Sequence, residues 1–166
     1  MSKQIVDEYE EFLKAKVKMA ESLGFEIQDA DVNPILKPHQ RAMVRWMVRM
    51  GRAACFAAFG LGKSVIQLET VRIILAKVGG KSIIVVPLSV RHEFARDAAM
   101  LGIKTKFIRR IEECEAGIDV YLTNYESVRD GKLDPQQFNV ASLDEASCLR
   151  DFGGTKTFRE FMAVFA

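Results

Sequence analysis

The sequence predicts an α/β protein whose open, doubly wound parallel sheet carries helices on both faces. Three observations lead to this fold class. Apolar segments of strand length alternate with segments of helical periodicity along most of the chain. Two of the strand segments, 82–87 and 119–123, are nearly continuous apolar runs, which is typical of strands covered on both faces. Glycines close the helical segments, at the places where helices commonly end.

Composition and charge exclude several classes of protein. The 166 residues are 49% hydrophobic and 28% charged with a net charge of +2, which is typical of one globular domain. The longest apolar stretches, 53–62 and 82–90, are far shorter than the roughly 18 to 20 residues that a bilayer span needs. The N-terminus is acidic where an export signal would be basic. We therefore expect no membrane association and a reducing cytoplasm, in a bacterium or a virus-infected host.

The three cysteines do not indicate a disulfide framework or a zinc site. Cys55, Cys114 and Cys148 are far apart, form no C-x-x-C pair, and are accompanied by only two histidines, at 39 and 92. We interpret them as small buried hydrophobic residues.

Residues 1–33 are predicted to form an N-terminal amphipathic helix and a linker ahead of the main domain, 34–166. Apolar residues recur at steps of three and four from Ile5 to Leu23, and Gly24 ends the pattern. Turn-forming residues then fill 28–34. The first 33 residues hold four lysines and eight acids. A basic segment follows, but a net charge of +2 does not by itself indicate nucleic-acid binding.

That basic segment is predicted to be a helix from Pro38 to Gly51, since proline suits the first turn and glycine the end. Its apolar side chains are expected to face the core: Met43, Trp46, Met47 and Met50. Its arginines, at positions 41, 45 and 49, share the opposite face. We interpret that face as solvated, and the neutralisation of nucleic-acid phosphates is the alternative.

The rest of the chain alternates between strands and helices. The expected elements are a strand at 53–59, a helix at 63–77, strands at 82–87 and 104–108 around a helix at 89–100, a short acidic helix, and strands at 118–123 and 138–143 separated by a turn of helix. No internal repeat interrupts this order.

The clearest chemical signal is a phosphate-binding loop between the first strand and the helix after it. The segment Ala57-Ala-Phe-Gly-Leu-Gly-Lys63-Ser64 matches G-x-x-x-x-G-K-[ST], except that alanine stands at the first glycine. Backbone N–H groups from Gly60 to Ser64 would form an anion site at a helix N-terminus. Lys63 would reach the β and γ phosphates and Ser64 would bind Mg²⁺. The alternative is an ordinary turn between a strand and a helix.

A pair of carboxylates follows the last expected strand. Segment 138–143 ends in Asp144-Glu145, at the carboxyl edge of the sheet, where such sheets bind ligands. Asp144 can hold Mg²⁺ through water, and Glu145 can polarise an attacking water, a division of roles that would make the site hydrolytic. The alternative is that two solvated acids simply close a strand.

Five segments resemble, in order, the Q motif and motifs I, Ia, Ib and II of superfamily-two helicases, and the resemblance is closest to the Swi/Snf-like translocases. They are Leu36-Lys-Pro-His-Gln40, Phe59-Gly-Leu-Gly-Lys-Ser64, Ile84-Val-Val-Pro-Leu-Ser-Val90, Leu122-Thr-Asn-Tyr-Glu126 and Leu143-Asp-Glu-Ala-Ser147. Two departures stand out. Ser147 occupies a position where many members carry His or Asp, and Ala57 replaces the first glycine.

The resemblance implies the RecA-like ATP-binding lobe of a DNA helicase or translocase, with ATP and Mg²⁺ as cofactors. Gln40 would recognise adenine, since a carboxamide can donate to N7 and accept from the N6 amino group. The implied nucleotide-binding residues are Gln40, Phe59, Gly60, Leu61, Gly62, Lys63 and Ser64. Ser64 and Asp144 would bind the metal, while Glu145 and Lys63 would be catalytic.

By the same resemblance, motifs Ia and Ib would touch the backbone of a nucleic acid, DNA rather than RNA. The implied contacts are Ser89, Thr123 and Asn124, with Pro87 and Leu88 beside them. Hydroxyls and amides suit this role because they position a strand without reading its sequence. Ser89 and Thr123 are also ordinary helix-cap or strand-end residues, so the local sequence leaves both interpretations open.

The resemblance further implies a second helicase lobe as partner in the full-length protein, because that lobe supplies an arginine finger. In this fold class another strand follows Asp144-Glu145 and lies between the phosphate-loop strand and the Asp144 strand. Here the segment after 153 carries the pattern of an amphipathic helix instead. We therefore expect 34–166 to be an incomplete lobe that is nearly inactive alone.

Two other functions are left open. A small phosphate-loop kinase would need an acceptor site and a lid bearing arginines, and 65–143 shows neither pattern clearly. A non-catalytic module that binds a nucleic acid or a partner would need no nucleotide at all.

Overall fold

The computed structural model describes residues 22–58 and 60–145. The predicted N-terminal helix up to residue 21 lies outside the described residues, as do Phe59, Ser147, Cys148 and the helical pattern after 153. Residues 22–27 form no helix, and Leu23 is exposed.

Four parallel strands form one sheet within the described part of the chain, and this confirms the predicted α/β class. The strands are β1 (Ser82–Val86), β2 (Thr105–Phe107), β3 (Val120–Asn124) and β4 (Val140–Leu143), in the spatial order β2-β3-β1-β4. The central strand β1 aligns Val85 with Thr123 on one side and with Leu143 on the other. All four strands therefore point their carboxyl ends to the same edge.

Two helices precede these strands and two connect them, at the positions that the periodicity predicts. They are α1 (Pro38–Met50), α2 (Lys63–Val78), α3 (Arg91–Met100) and α4 (Tyr125–Arg129). Single 3₁₀ turns lie at Asp29–Asp31, Leu88–Val90, Ile111–Glu113 and Pro135–Gln137. The described part of the chain has no helix of the length and apolar character that a membrane crossing requires.

Alternate residues of the strands enter two separate apolar clusters, one on each face of the sheet. Ile84 and Val86 pack with residues of α1, α2 and α3. Ile83 and Val85 pack on the other face, with residues of α4 and of the segment that leads to β4. Both faces are thus covered, which explains why the strands are apolar at successive positions.

The inward face of α1 differs from the prediction. Its buried residues are Gln40, Val44 and Val48, four residues apart, whereas Trp46 is 40% exposed and its predicted core position was wrong. The prediction of a solvated arginine face was also wrong at Arg41, whose side chain is only 26% exposed. Its guanidinium donates to the carbonyl oxygens of Leu36 and Pro34 and to the Asp29 carboxylate, and so fixes the loop before α1.

The predicted strand at 53–59 was wrong over the six residues that the structure describes. Residues 53–58 have no strand assignment and most are exposed, with Phe56 97% accessible. The physical reason is the lack of a pairing partner, since a strand is held by hydrogen bonds to a neighbour. Within the described residues, the sheet ends at β2 and β4, and residues 53–58 pair with neither of these edge strands.

The segment predicted to be a linker contributes to the main core. Ile27 and Val32 are buried in the same cluster as the residues of α1 and α2. The Asn33 N–H donates to Glu69 Oε1 at 2.7 Å, and the Asn33 side chain donates to the Leu101 carbonyl oxygen at 3.3 Å. The turn-forming residues of this stretch therefore form a loop that packs against the core.

Substitution of Gly80 by alanine is expected to lower the free energy of unfolding by about 2 to 3 kcal/mol. Gly80 has a φ of +84°, which costs an L-residue roughly 1 to 2 kcal/mol, and a Cβ there would lie 1.8 Å from Asn139 Oδ1. That oxygen accepts from the Lys81 N–H and helps to join β4 to β1. Gly102→Ala is the matched control, because its φ is +73° and its Cβ would meet nothing within 4 Å. Urea denaturation of both variants measures the difference; equal losses would contradict the role of Asn139.

Candidate nucleotide site

The predicted phosphate loop turns directly into the N-terminus of α2. Gly60 and Gly62 have φ values of +80° and +74°, a left-handed conformation that favours glycine. The first turn of a helix has N–H groups with no intrahelical acceptor, and in α2 these include the groups of Ser64 and Val65. The loop therefore has the conformation and the helix end that an anion site needs.

The predicted acids lie at the carboxyl edge of the sheet, close to the loop lysine. Burial raises the pKa of the Asp144 carboxyl, the neighbouring Glu145 charge raises it further, and Lys63 opposes both effects. Lys63 also partly offsets the effect of burial, which raises the pKa of the Cys55 thiol. Lys63 and Glu145 thus both act on the charge of Asp144, and the roles of the three residues stay predictions.

The backbone around the two acids is held in an unusual conformation. Glu145 has a φ of +52°, and no other described non-glycine residue has a positive φ. The Asp144 N–H donates to the Val85 carbonyl oxygen at 2.9 Å, and the Tyr125 hydroxyl donates to the Asp144 carbonyl oxygen. Left-handed residues of this kind are maintained only where the surroundings determine them, and they concentrate at functional sites.

Gln40 connects the start of α1 to the phosphate loop. Its Oε1 accepts from the Lys37 N–H at 2.9 Å, and its Nε2 donates to the Leu61 carbonyl oxygen at 3.1 Å. The side chain is buried, so both ends of its carboxamide serve the protein in this structure. Recognition of adenine by Gln40 stays a prediction and would require these contacts to be exchanged.

Substitution of Gly62 by alanine tests the contact between Gln40 and the loop. A Cβ at Gly62 would lie 2.4 Å from Gln40 Nε2 and would displace it from Leu61. We expect the free energy of unfolding to fall by about 1 kcal/mol more than in Gly60→Ala, since the lost hydrogen bond is worth about that amount. Gly60 is the matched position because it shares the left-handed φ and has open space. Equal thermal denaturation of the two variants would show that the Gln40 contact contributes nothing.

Three residues that the sequence interpretation missed form contacts around this region: Asp97, Gln67 and Ser142. Ser64 donates to Asp97 Oδ2 of α3 at 2.5 Å, and Gln67 of α2 donates to the Ser142 hydroxyl of β4 at 2.7 Å. A signal for Asp97 exists in the sequence. Phe94 and Leu101 are buried three residues before and four residues after it, so the acid occupies an inward position of an amphipathic helix.

The residues expected to touch a nucleic acid have different surroundings. Ser89 is exposed in the turn before α3. Thr123 is fully buried, and its hydroxyl has no hydrogen-bond partner among the described residues. The Asn124 side chain donates to Glu126 Oε2 and accepts from the Ser127 hydroxyl. Of the three, only Ser89 presents its side chain to solvent, and contact by all three stays a prediction.

No family model matches the chain, and no curated protein matches it. Solved structures are similar to the chain in fold, among them the three that follow. The SWI2/SNF2 ATPase core of Sulfolobus solfataricus in complex with dsDNA has a TM-score of 0.64 and 22% identity, over 82% of this chain and 31% of that chain. The SWI2/SNF2 ATPase core domain of the same organism has a TM-score of 0.60 and 21% identity, over 84% of this chain and 33% of that chain.

The third structure is the UvsW helicase from bacteriophage T4, with a TM-score of 0.58 and 18% identity, over 93% of this chain and 55% of that chain. The chain thus spans about a third of the two archaeal chains and about half of the phage chain. At these identities the similarity shows the fold. The chain has the RecA-like α/β fold of a lobe found in Swi/Snf-like and related helicases.

Proposed function

We propose that the chain, from residue 34 onwards, is the ATP-binding motor lobe of an ATP-dependent DNA helicase or translocase. The observation that carries the proposal is geometric. Lys63 begins α2 directly after the left-handed phosphate loop, and Asp144 and Glu145 follow β4 at the carboxyl edge of the sheet. Such an arrangement places a cationic side chain that can bind phosphate beside one carboxylate that can bind a metal ion and another that can activate a water molecule. The fold similarity to helicase lobes supports the same conclusion, because this edge of the sheet is where such folds bind ligands.

The residues present fit a magnesium nucleotide. Burial is the main cause that raises the pKa of the Asp144 carboxyl, and Lys63 only partly offsets it, so a bound cation would favour the charged form. The described residues contain no cluster of three or more potential metal ligands. Mg²⁺ needs none, since it commonly uses one or two carboxylates together with substrate phosphates. Ser64 and Asp144 would hold the metal, which would neutralise charge on the phosphates.

The other side chains would bind and orient the substrate. The N–H groups at the start of α2 would donate hydrogen bonds to phosphate oxygens, and Lys63 would pair with their charge. Glu145 would accept a proton from the attacking water. A second lobe in the full-length protein would complete the site with an arginine. The nucleic-acid partner would be DNA, in line with the similarity to an archaeal structure that is a complex with dsDNA.

A titration of the 166-residue chain with a fluorescent ATP analogue, in Mg²⁺ and in EDTA, tests the proposal. We expect saturable binding that Mg²⁺ strengthens and that unlabelled ATP displaces better than GTP, with very slow hydrolysis. Phosphate transfer to a nucleoside acceptor would indicate a kinase. Binding of duplex DNA without any nucleotide binding would indicate a non-catalytic module. Either result would overturn the proposed motor function.

A further inference from the structure

Asp97 contacts the phosphate-loop serine from a different element of the fold. Ser64 is the second residue of α2, and its hydroxyl donates to Asp97 Oδ2 of α3 at 2.5 Å. The Asp97 side chain is only 18% exposed, and its other oxygen lies 3.6 Å from an Arg96 guanidinium nitrogen. This carboxylate belongs neither to the phosphate-loop motif nor to the pair of acids after β4, and the sequence pattern predicts no role for it.

The chemistry of the pair determines the direction of the hydrogen bond. An ionised carboxylate only accepts, whereas a serine hydroxyl has one proton and two lone pairs. The proton of Ser64 is therefore directed at Asp97, and the lone pairs of Oγ remain for other partners. The separation of 2.5 Å lies at the short end of charge-assisted O–H···O⁻ bonds, which are the stronger class.

We propose that Asp97 is a positioning residue of the nucleotide site, which orients the Ser64 hydroxyl so that its oxygen lone pairs face the metal of a bound nucleotide. This inference rests on the proposed function. A hydroxyl that is free to rotate would present its proton to the cation for part of the time. Asp97 removes that conformation, in the manner of the outer partners that orient metal ligands elsewhere.

The position of α3 does not depend on this contact. Phe94, Ala98 and Leu101 are buried in the apolar cluster that α3 shares with α2 and the sheet. Loss of the Asp97 carboxylate should therefore leave the helix in place while it releases the Ser64 hydroxyl. A purely structural role for Asp97 would change stability without changing the Mg²⁺ requirement for nucleotide binding.

The test measures nucleotide affinity as a function of Mg²⁺ concentration in the wild-type chain, Asp97→Asn and Asp97→Ala. We expect both variants to need roughly 10-fold or more Mg²⁺ for half-maximal enhancement of ADP binding, the effect typical of lost outer partners. Affinity in EDTA should stay unchanged. Asp97→Glu should recover part of the loss because it keeps a carboxylate, which only accepts, whereas the asparagine carboxamide can also donate to Ser64 Oγ. Arg96→Ala is the control, since it removes only the other contact of Asp97, and we expect no change.

A double variant separates this role from a general effect. In a Ser64→Ala background, Asp97→Asn should produce no further change in the Mg²⁺ requirement, because the residue acts through the missing hydroxyl. An unchanged Mg²⁺ requirement in a folded Asp97→Asn or Asp97→Ala chain would overturn the inference while leaving the proposed function intact. An absence of Mg²⁺-dependent nucleotide binding in the wild-type chain would overturn both.

Discussion

Replacement of Lys63 by alanine should weaken the binding of Mg²⁺–ATP to the chain by roughly 10- to 150-fold. A hydrogen bond to a charged partner contributes about 1.5 to 3 kcal/mol, and a tenfold change in affinity corresponds to about 1.4 kcal/mol. The loss should be large because Lys63 stands at the first helical position of α2, beside the two left-handed glycines of the loop. Isothermal titration calorimetry with ADP and with a non-hydrolysable ATP analogue measures it.

The matched control is Lys77→Ala, on the last turn of the same helix. Lys77 Nζ lies 5.9 Å from the centre of the Phe25 ring, far along α2 from the loop, and its removal should cost at most about 1 kcal/mol of stability. Nucleotide affinity should be that of the wild type. Equal affinities in the wild type, Lys63→Ala and Lys77→Ala would show that the loop does not bind phosphate, and the proposed function would fail.

Replacement of Glu69 by alanine should lower the free energy of unfolding by about 2 to 4 kcal/mol. Glu69 is fully buried and accepts hydrogen bonds from Arg72 Nε at 2.8 Å, from an Arg72 terminal nitrogen at 2.7 Å and from the Asn33 N–H at 2.7 Å. Its removal would leave these donors without their acceptor, which is strongly destabilising for a buried pair. We expect the loss of unfolding free energy to stay below the largest values for broken buried ion pairs, because the Arg72 side chain is 36% exposed and can be hydrated.

Chemical denaturation of Glu69→Ala beside Glu115→Ala measures this effect. Glu115 also forms an ion pair, with Lys106 Nζ at 2.5 Å, but both side chains are substantially exposed and such pairs contribute about 0 to 1 kcal/mol. The backbone contacts of Glu115 with Tyr121 do not involve its side chain. A loss in Glu69→Ala no larger than in Glu115→Ala would show that the buried cluster does not stabilise the packing of the 29–33 loop on α2.

Most of the fold follows from local patterns. The helix from Pro38, the helix from Lys63 and the strand from Ser82 begin where the sequence predicts, because caps, glycines and apolar periodicity act over a few residues. The prediction failed where the structure of a segment depends on the distant residues that it pairs or packs with. Residues 53–58 are apolar enough for a strand but are unpaired in the described sheet, and Trp46 lies outside the buried stripe of α1.

Part of the candidate site can also be predicted from the sequence. The residues Lys63, Ser64, Asp144 and Glu145 follow from a spacing motif and from the rule that ligands bind at the carboxyl edge of a parallel sheet. The rule predicts that two segments about eighty residues apart meet at one edge, and the shared electrostatics of Lys63 and Asp144 agree with it. The left-handed conformation of Glu145 was not predictable, because glutamate rarely adopts it.

The sequence alone determined the alternation of strands and helices, the phosphate-loop motif and the acids at the end of the last strand, since each depends on spacing within a few residues. Only the tertiary structure decided which side chain receives the Ser64 proton, what Gln40 contacts and how Glu69 joins the 29–33 loop to α2. The physical reason is that these contacts join residues 21 to 36 positions apart, and short-range patterns carry no information about which distant groups meet.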